Sequence, residues 1–252
     1  MPIPIQTQRD VEPSVQPLTP GGPDSILGQM SVWWRNIGSV GSGRCENKKT
    51  EGNISVEDGQ YRRAEHMYLA AIEQAEQIGS LNPRLADSLN ELGMLYAKQH
   101  NYTQAEQMFQ RALGVVVAAL GPDHLDVATI LKNMGILKAS KKEYVEADLL
   151  LKQSLVLTTR TMGHEHPMVA VTMRTIAVCQ AIQGHYAEAE RVIRRSLEVG
   201  EKMLGPEHPE VAASRQVLAQ VLRRVDRESE AYHDESRARE MRTECGATTG
   251  KM

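Results

Sequence analysis

Aromatic residues are scarce in this 252-residue chain: 4% of positions, with two Trp, seven Tyr and one Phe. All-β folds draw on aromatic and β-branched side chains to fill pleated surfaces, so the scarcity argues against them. Cysteine is sparse too. Cys45, Cys179 and Cys245 are odd in number, far apart and without a CxxC. That argues against a disulfide framework or a zinc site and favours a reducing, cytoplasmic setting. Neither charge sign dominates; the formal net charge is −3. The chain thus lacks the basic footprint of a nucleic-acid binder. No run approaches the roughly 20 apolar residues of a membrane helix. The N-terminus, MPIPIQTQRDVEP, has neither the basic nor the apolar region of a secretory signal, and its acidic residues and lack of amphipathicity do not suit a mitochondrial transit peptide. GxGxxG, Walker A, HExxH and GxSxG are all missing, so the sequence reads as non-enzymatic, with no cofactor and no metal.

What remains is 41% hydrophobic and 24% charged, the balance of a globular protein. Ala, Leu, Glu, Gln, Arg and Met, all good helix formers, dominate. Character changes along the chain. Residues 1–55 carry Pro-, Gly- and Ser-rich stretches such as PLTPGGPDS and GSVGSGRCENKK, and read as a low-order segment. Within it, residues 26–37 contain Trp33 and Trp34, a patch that either docks on the remainder or on a partner or is a short local turn or helix. Residues 56–242 read as helices broken by short turns. Residues 243–252 read as a frayed tail.

The helical part repeats. Gly121, Gly163 and Gly205 stand 42 residues apart in the turns LGPDH, MGHEHP and LGPEHP. Tyr102, Tyr144 and Tyr186 keep the same step, and Tyr61 precedes them by 41. Each Tyr is followed by Ala three residues on (Ala64, Ala105, Ala147, Ala189) and then by an acid (Glu65, Glu106, Asp148, Glu190). Ala231 continues the alanine series. In the first full unit, residues 85–99 and 103–120 show apolar periodicity on either side of His100-Asn101-Tyr102. Leu89, Leu92, Gly93 and Tyr96 share one helical face, and Ala105, Phe109 and Ala112 form the matching stripe. Gly93 and Ala105 let the backbones approach, while Leu89, Tyr96 and Phe109 fill the space around them. Such αα-hairpins cannot bury both faces alone and must stack. The glycines suit a left-handed residue ending a helix, and Pro167 and Pro209 suit the first helical position behind a polar cap.

These residues resemble the tetratricopeptide repeat, W-x2-L-G-x2-Y then A-x3-F-x2-A. Leu89-x2-Leu92-Gly93-x2-Tyr96 and Ala105-x3-Phe109-x2-Ala112 match it everywhere except the Trp. Later units drift: Leu131, Met134, Gly135, Lys138, Ala147, Leu151, Ser154; then Met173, Ile176, Ala177, Gln180, Ala189, Ile193, Ser196. The last, with polar Arg215 and Glu235, suits a terminal cap. A 42-residue step, against the usual ~34, resembles the kinesin light chain subgroup. The implied fold is an all-α solenoid of stacked antiparallel hairpins in a right-handed superhelix: about four pairs plus an initial helix that is either an orphan or half of a degenerate pair.

The resemblance implies a scaffold that binds a protein or extended peptide in a concave groove lined by the first helix of each pair. A light-chain-like cargo adaptor, or the repeat arm of a larger signalling protein, is the alternative. The inward positions would be Asn90 and Met94, Lys132 and Ile136, Arg174 and Val178, Gln216 and Gln220, with Arg223 near one end. Asn, Lys and Arg suit the backbone and carboxylates of an acidic peptide. The alternative for each of these residues is plain solvated helix surface. His124, His166 and His208 recur at the inter-unit turns, too far apart for one metal ion, and read as turn and cap residues. Cys179 reads as packing.

Overall fold

The computed structural model describes residues 60–249, with side chains to Met241. The expectations for residues 1–55, Trp33 and Trp34 included, lie outside the described residues. Those described form helices only: α1 (Tyr61–Ile78), α2 (Pro83–Lys98), α3 (Tyr102–Leu120), α4 (Leu125–Ser140), α5 (Tyr144–Met162), α6 (Pro167–Ile182), α7 (Tyr186–Leu204), α8 (Pro209–Arg224) and α9 (Glu228–Thr249). Helices α2–α3, α4–α5, α6–α7 and α8–α9 pack as hairpins, and each hairpin packs on the next. We call the first helix of each pair A and the second B; α1 takes a B place against α2. Helix α9 continues to Thr249, into the stretch expected to fray.

The close approach inside each hairpin is set by small residues. A Cβ built on Gly93 would lie 2.8 Å from Phe109 Cε1, and one on Gly135 2.8 Å from Leu151 Cγ. Phe109, Leu151, Ala105 and Ala147 are fully buried. Where the repeat drifts from Ala to Ser, the hydroxyl finds a partner: Ser154 Oγ donates to the Ala128 carbonyl at 2.7 Å and Ser196 Oγ to that of Ala170 at 2.8 Å. These buried polar groups are therefore satisfied at no loss of packing.

The turns correct one expectation. Gly121, Gly163 and Gly205 have φ near 86–89° but ψ of 156–165°. This is the region that essentially only glycine reaches, not the left-handed helical well. The left-handed residues sit instead at the turn inside each hairpin: His100, Lys142, Gly184 and Asp226, with φ of 58–84°. There the next N–H closes back on the A helix, as from Asn101 to the Tyr96 carbonyl and from Glu143 to that of Lys138, both at 2.9 Å. That is the Schellman closure.

A helices start on a polar cap, as expected. Asn82 Oδ1 accepts from Arg84 N–H, and the Nδ1 atoms of His124, His166 and His208 accept from the N–H groups of Asp126, Met168 and Glu210 at 3.1–3.2 Å. Pro83, Pro167 and Pro209 follow at the first helical position.

Candidate partner-binding groove

The 42-residue step carries one position of each A helix, 90, 132, 174 and 216, to equivalent places along the stack. Asn133 Nδ2 of α4 donates to Asn90 Oδ1 of α2 at 2.8 Å and lies 3.5 Å from Met94 Sδ. Arg174 Nη1 of α6 pairs with Glu210 Oε2 of α8 at 2.7 Å and donates to the Glu210 carbonyl at 3.3 Å. These contacts run from A helix to A helix, so the row lies on the A side of the stack.

The row is not solvated helix. Asn90, Met94, Lys132, Ile136 and Arg174 are buried, exposed by 7%, 4%, 5%, 1% and 4%. Val178 is half-buried and packs on the core. Gln216 and Gln220 are half-buried. Arg223 is exposed at the far end, where it pairs with Glu235 and, at 3.6 Å, with Glu228.

Lys132 differs from Arg174. It makes no ion pair within 4 Å among the described residues, and it senses Glu210 and Glu91 only at longer range. Burial, followed by repulsion from Arg174, pulls its ammonium down to about 8. Such a cation is left short of an anionic neighbour. Arg174 Nε and Asn133 Oδ1 are buried without a hydrogen-bond partner.

Two members of this arrangement, Asn133 and Glu210, were not foreseen. Glu210 belongs to the first turn of the following A helix, 36 residues from Arg174, and only the packing of α6 on α8 joins them. Cys179 is buried in α6, and burial, then Asp148, pushes its thiol up to about 11, away from thiolate chemistry. Among the described residues, no three of His, Cys, Asp and Glu gather to hold a metal, and no helix is long and apolar enough to cross a membrane.

Comparison with known proteins agrees with this architecture. The tetratricopeptide repeat model matches residues 51–116, 84–157 and 141–202. Among solved structures, BtubC (BKLC) from P. vanneervenii superposes with a TM-score of 0.66 at 19% identity, over 77% of this chain and 78% of that one. TPR-like repeats of Podosopora anserina, from a chain assigned as a kinesin light chain, give 0.64 at 19% identity, over 79% and 95%. Aspartyl phosphate phosphatase F from Bacillus subtilis gives 0.59 at 12%, over 79% and 50%. At these identities the likeness is one of fold. No curated protein matches the sequence. With three overlapping matches that span more than half of its length, the chain belongs to the tetratricopeptide repeat family.

Proposed function

We propose that the chain is a non-catalytic protein-interaction scaffold that seats an extended peptide segment of a partner along the A-helix side. The observation that carries this reading is the row itself. Four A helices present equivalent positions at a fixed step, and at its centre stands Lys132, a buried cation with no ion pair among the described residues. An extended peptide offers backbone groups at a regular spacing and, at one residue, a carboxylate to meet that ammonium. Arg174 is already neutralised by Glu210, so recognition calls for one well-placed acid rather than an acidic run.

The test is peptide-library selection on the full chain, followed by titration of the selected peptides. Lys132→Gln weakens carboxylate-bearing ligands at least about tenfold, the scale of one charge-assisted hydrogen bond. Substitution of Arg174 is a poorer probe, because it strands the buried Glu210 carboxylate. Ligands that bind Lys132→Gln unchanged but lose affinity when Val145 and Leu149 of α5 are made Ser would move the site to the B side and sink the groove reading.

A further inference from the structure

Among the described B helices, only α5 turns three large apolar side chains outward in a row. Val145, Leu149 and Val156 share one helical face and are exposed by 85%, 58% and 68%. The equivalent places, one 42-residue step away, hold Thr103, Gln107 and Gly114 on α3 and Ala187, Arg191 and Glu198 on α7. Leaving such side chains in water forgoes their burial, and an apolar stripe confined to one helix and rimmed by polar neighbours marks a contact surface.

We propose that this stripe is a dimer interface, in which α5 packs antiparallel on α5 of a second copy about a two-fold axis at the level of Lys152 and Gln153. The inference does not depend on the groove reading, because it uses the B side of the stack. It adds one consequence: the two A-helix rows of the dimer face away from each other, so the scaffold holds two ligand segments at once.

The choice of a second copy rests on self-complementarity, which an isologous contact demands. With the axis between Lys152 and Gln153, Leu149 stands opposite Val156 of the other copy, so apolar meets apolar on both sides of the axis. Val145 meets the stem of Arg160, and Glu146 lies beside the same guanidinium. Lys152 meets Gln153 rather than another lysine. The same axis continues over α7, 42 residues on, where Arg191 stands opposite Glu198. Arg191 is exposed and makes no ion pair among the described residues. Arg194 and Arg195, nearest the axis there, are each answered on their own helix, by Glu190 and Glu198. Parallel packing of α5 on its copy would instead set Lys152 over Lys152 and Glu146 over Glu146, a like-charge arrangement that costs affinity. Contact along one 19-residue helix, ~28 Å long, with the flanks of its neighbours, buries on the order of 1,000 Å² in total, at the lower edge of specific interfaces. The dimer is therefore a micromolar one.

Sedimentation velocity on the full chain, from about 2 to 200 μM, shows a reversible monomer–dimer equilibrium with its midpoint in the tens of micromolar. Leu149→Asp, and Val156→Ser as a gentler second variant, weaken it at least about tenfold and about threefold, because each change is counted twice across the axis. Both side chains are exposed, so far-UV circular dichroism and the melt stay as in the wild type. Arg191→Glu weakens association, and Arg191→Glu/Glu198→Arg restores it. Gln153→Cys, in a Cys45→Ser/Cys245→Ser background, cross-links to itself under mild oxidation, since only residues beside the axis come within disulfide reach of their own copies.

A chain that sediments as a monomer over the whole range would overturn the proposal and leave the peptide test of the groove untouched. So would association that ignores Leu149→Asp and Val156→Ser, which would place the contact elsewhere. Association lost with Leu149→Asp but neither restored by the Arg191/Glu198 exchange nor trapped by Gln153→Cys would overturn the antiparallel pairing, and with it the self-complementarity that singles out a second copy.

Discussion

Substitution of Gly93 by Ala tests whether this repeat is held together by close approach of its helices. An added methyl at Gly93 would stand 2.8 and 2.9 Å from Phe109 Cε1 and Cδ1, against the ~3.5–4.0 Å at which carbon atoms rest. Phe109 is fully buried, so the ring can retreat only by displacing its neighbours in a close-packed interior. Overpacking of this kind costs about 1–3 kcal/mol. Against it stands the gain of about 1 kcal/mol from replacing Gly by Ala inside a helix. The net expectation is a loss of about 1 kcal/mol. The chain contains its own control. In the third unit Ala177 and Ile193 occupy the places of Gly93 and Phe109, and both are buried. Phe109→Ile alone loses about 2 kcal/mol by leaving the ring's space empty. Gly93→Ala with Phe109→Ile copies the third unit, so the double variant loses at least about 1 kcal/mol less than the two singles together. Urea unfolding followed by circular dichroism measures all four proteins, with the slope of the transition held as a check on cooperativity. A Gly93→Ala midpoint above wild type by the full helix-propensity gain, or singles that simply add, would refute the close-approach account.

Other expectations follow from the turns and the inner row. Gly163→Ala meets no neighbouring atom yet loses about 1–3 kcal/mol, because φ 86° and ψ 165° exclude a side chain; an unchanged melt would show that the turn relaxes freely. Lys142→Gly relieves a left-handed residue inside its hairpin turn and gains about 0.5–1 kcal/mol, readable as a rise in the thermal midpoint. Lys132 is held down at about 8, so between pH 8 and ~10.4 the unfolded chain binds the extra proton and stability rises with pH. Lys132→Met is therefore the more stable protein at pH 7, and its lead shrinks by on the order of 3 kcal/mol by pH 10.4. Cys179, pushed up to about 11, works in the opposite direction in both proteins and cancels; parallel pH curves would refute the assignment. Gln180→Lys copies Lys138, which meets Glu106 at 3.0 Å, and sets an ammonium toward Asp148; it gains about 0.5–1 kcal/mol in urea unfolding, and a loss would count against equivalence of the seams.

The architecture is legible because a solenoid is a local structure repeated. Tyr102, Ala105 and Gly121 recur at a fixed step, and both the hairpin and its stacking follow from that step. The histidine caps were equally readable, since a polar residue directly ahead of Pro167 or Pro209 has one obvious task. The left-handed turn residues were not. Glycine fills that place once, at Gly184, and elsewhere the place holds His100, Lys142 and Asp226; His and Asp carry only a weak preference for it and Lys none. The A-helix row was legible as a set of equivalent positions and not as an environment. Asn90, Lys132 and Arg174 look like surface residues by type, and their burial depends on what packs over and between the A helices. The Arg174–Glu210 pair shows the reason, because its partners belong to successive units and neither residue type announces the other.

The joints between successive units are braced unequally. From α1 to the first hairpin, Tyr96 donates to Glu65 at 2.9 Å and Arg111 pairs with Glu76. From the first hairpin to the second, Lys138 and Lys141 both reach Glu106. From the third to the fourth, Arg174 pairs with Glu210, Arg215 with Glu201, and Arg227 with Glu190. Between the second and third hairpins no ion pair crosses among the described residues. Asp148, in the place of Glu106, turns to Lys152 on its own helix, and Gln180, in the place of Lys138, leaves Oε1 buried without a partner. On the inner side of the same joint Lys132 faces Arg174, two like charges. The middle of the array thus depends on apolar packing with the least polar support. A negative group received beside Lys132 would answer that ammonium and offset its repulsion from Arg174, whose own charge Glu210 already meets. On the proposed reading, a ligand that supplies this group stabilises the least braced joint of the array by the interaction it makes there, and by no more than that.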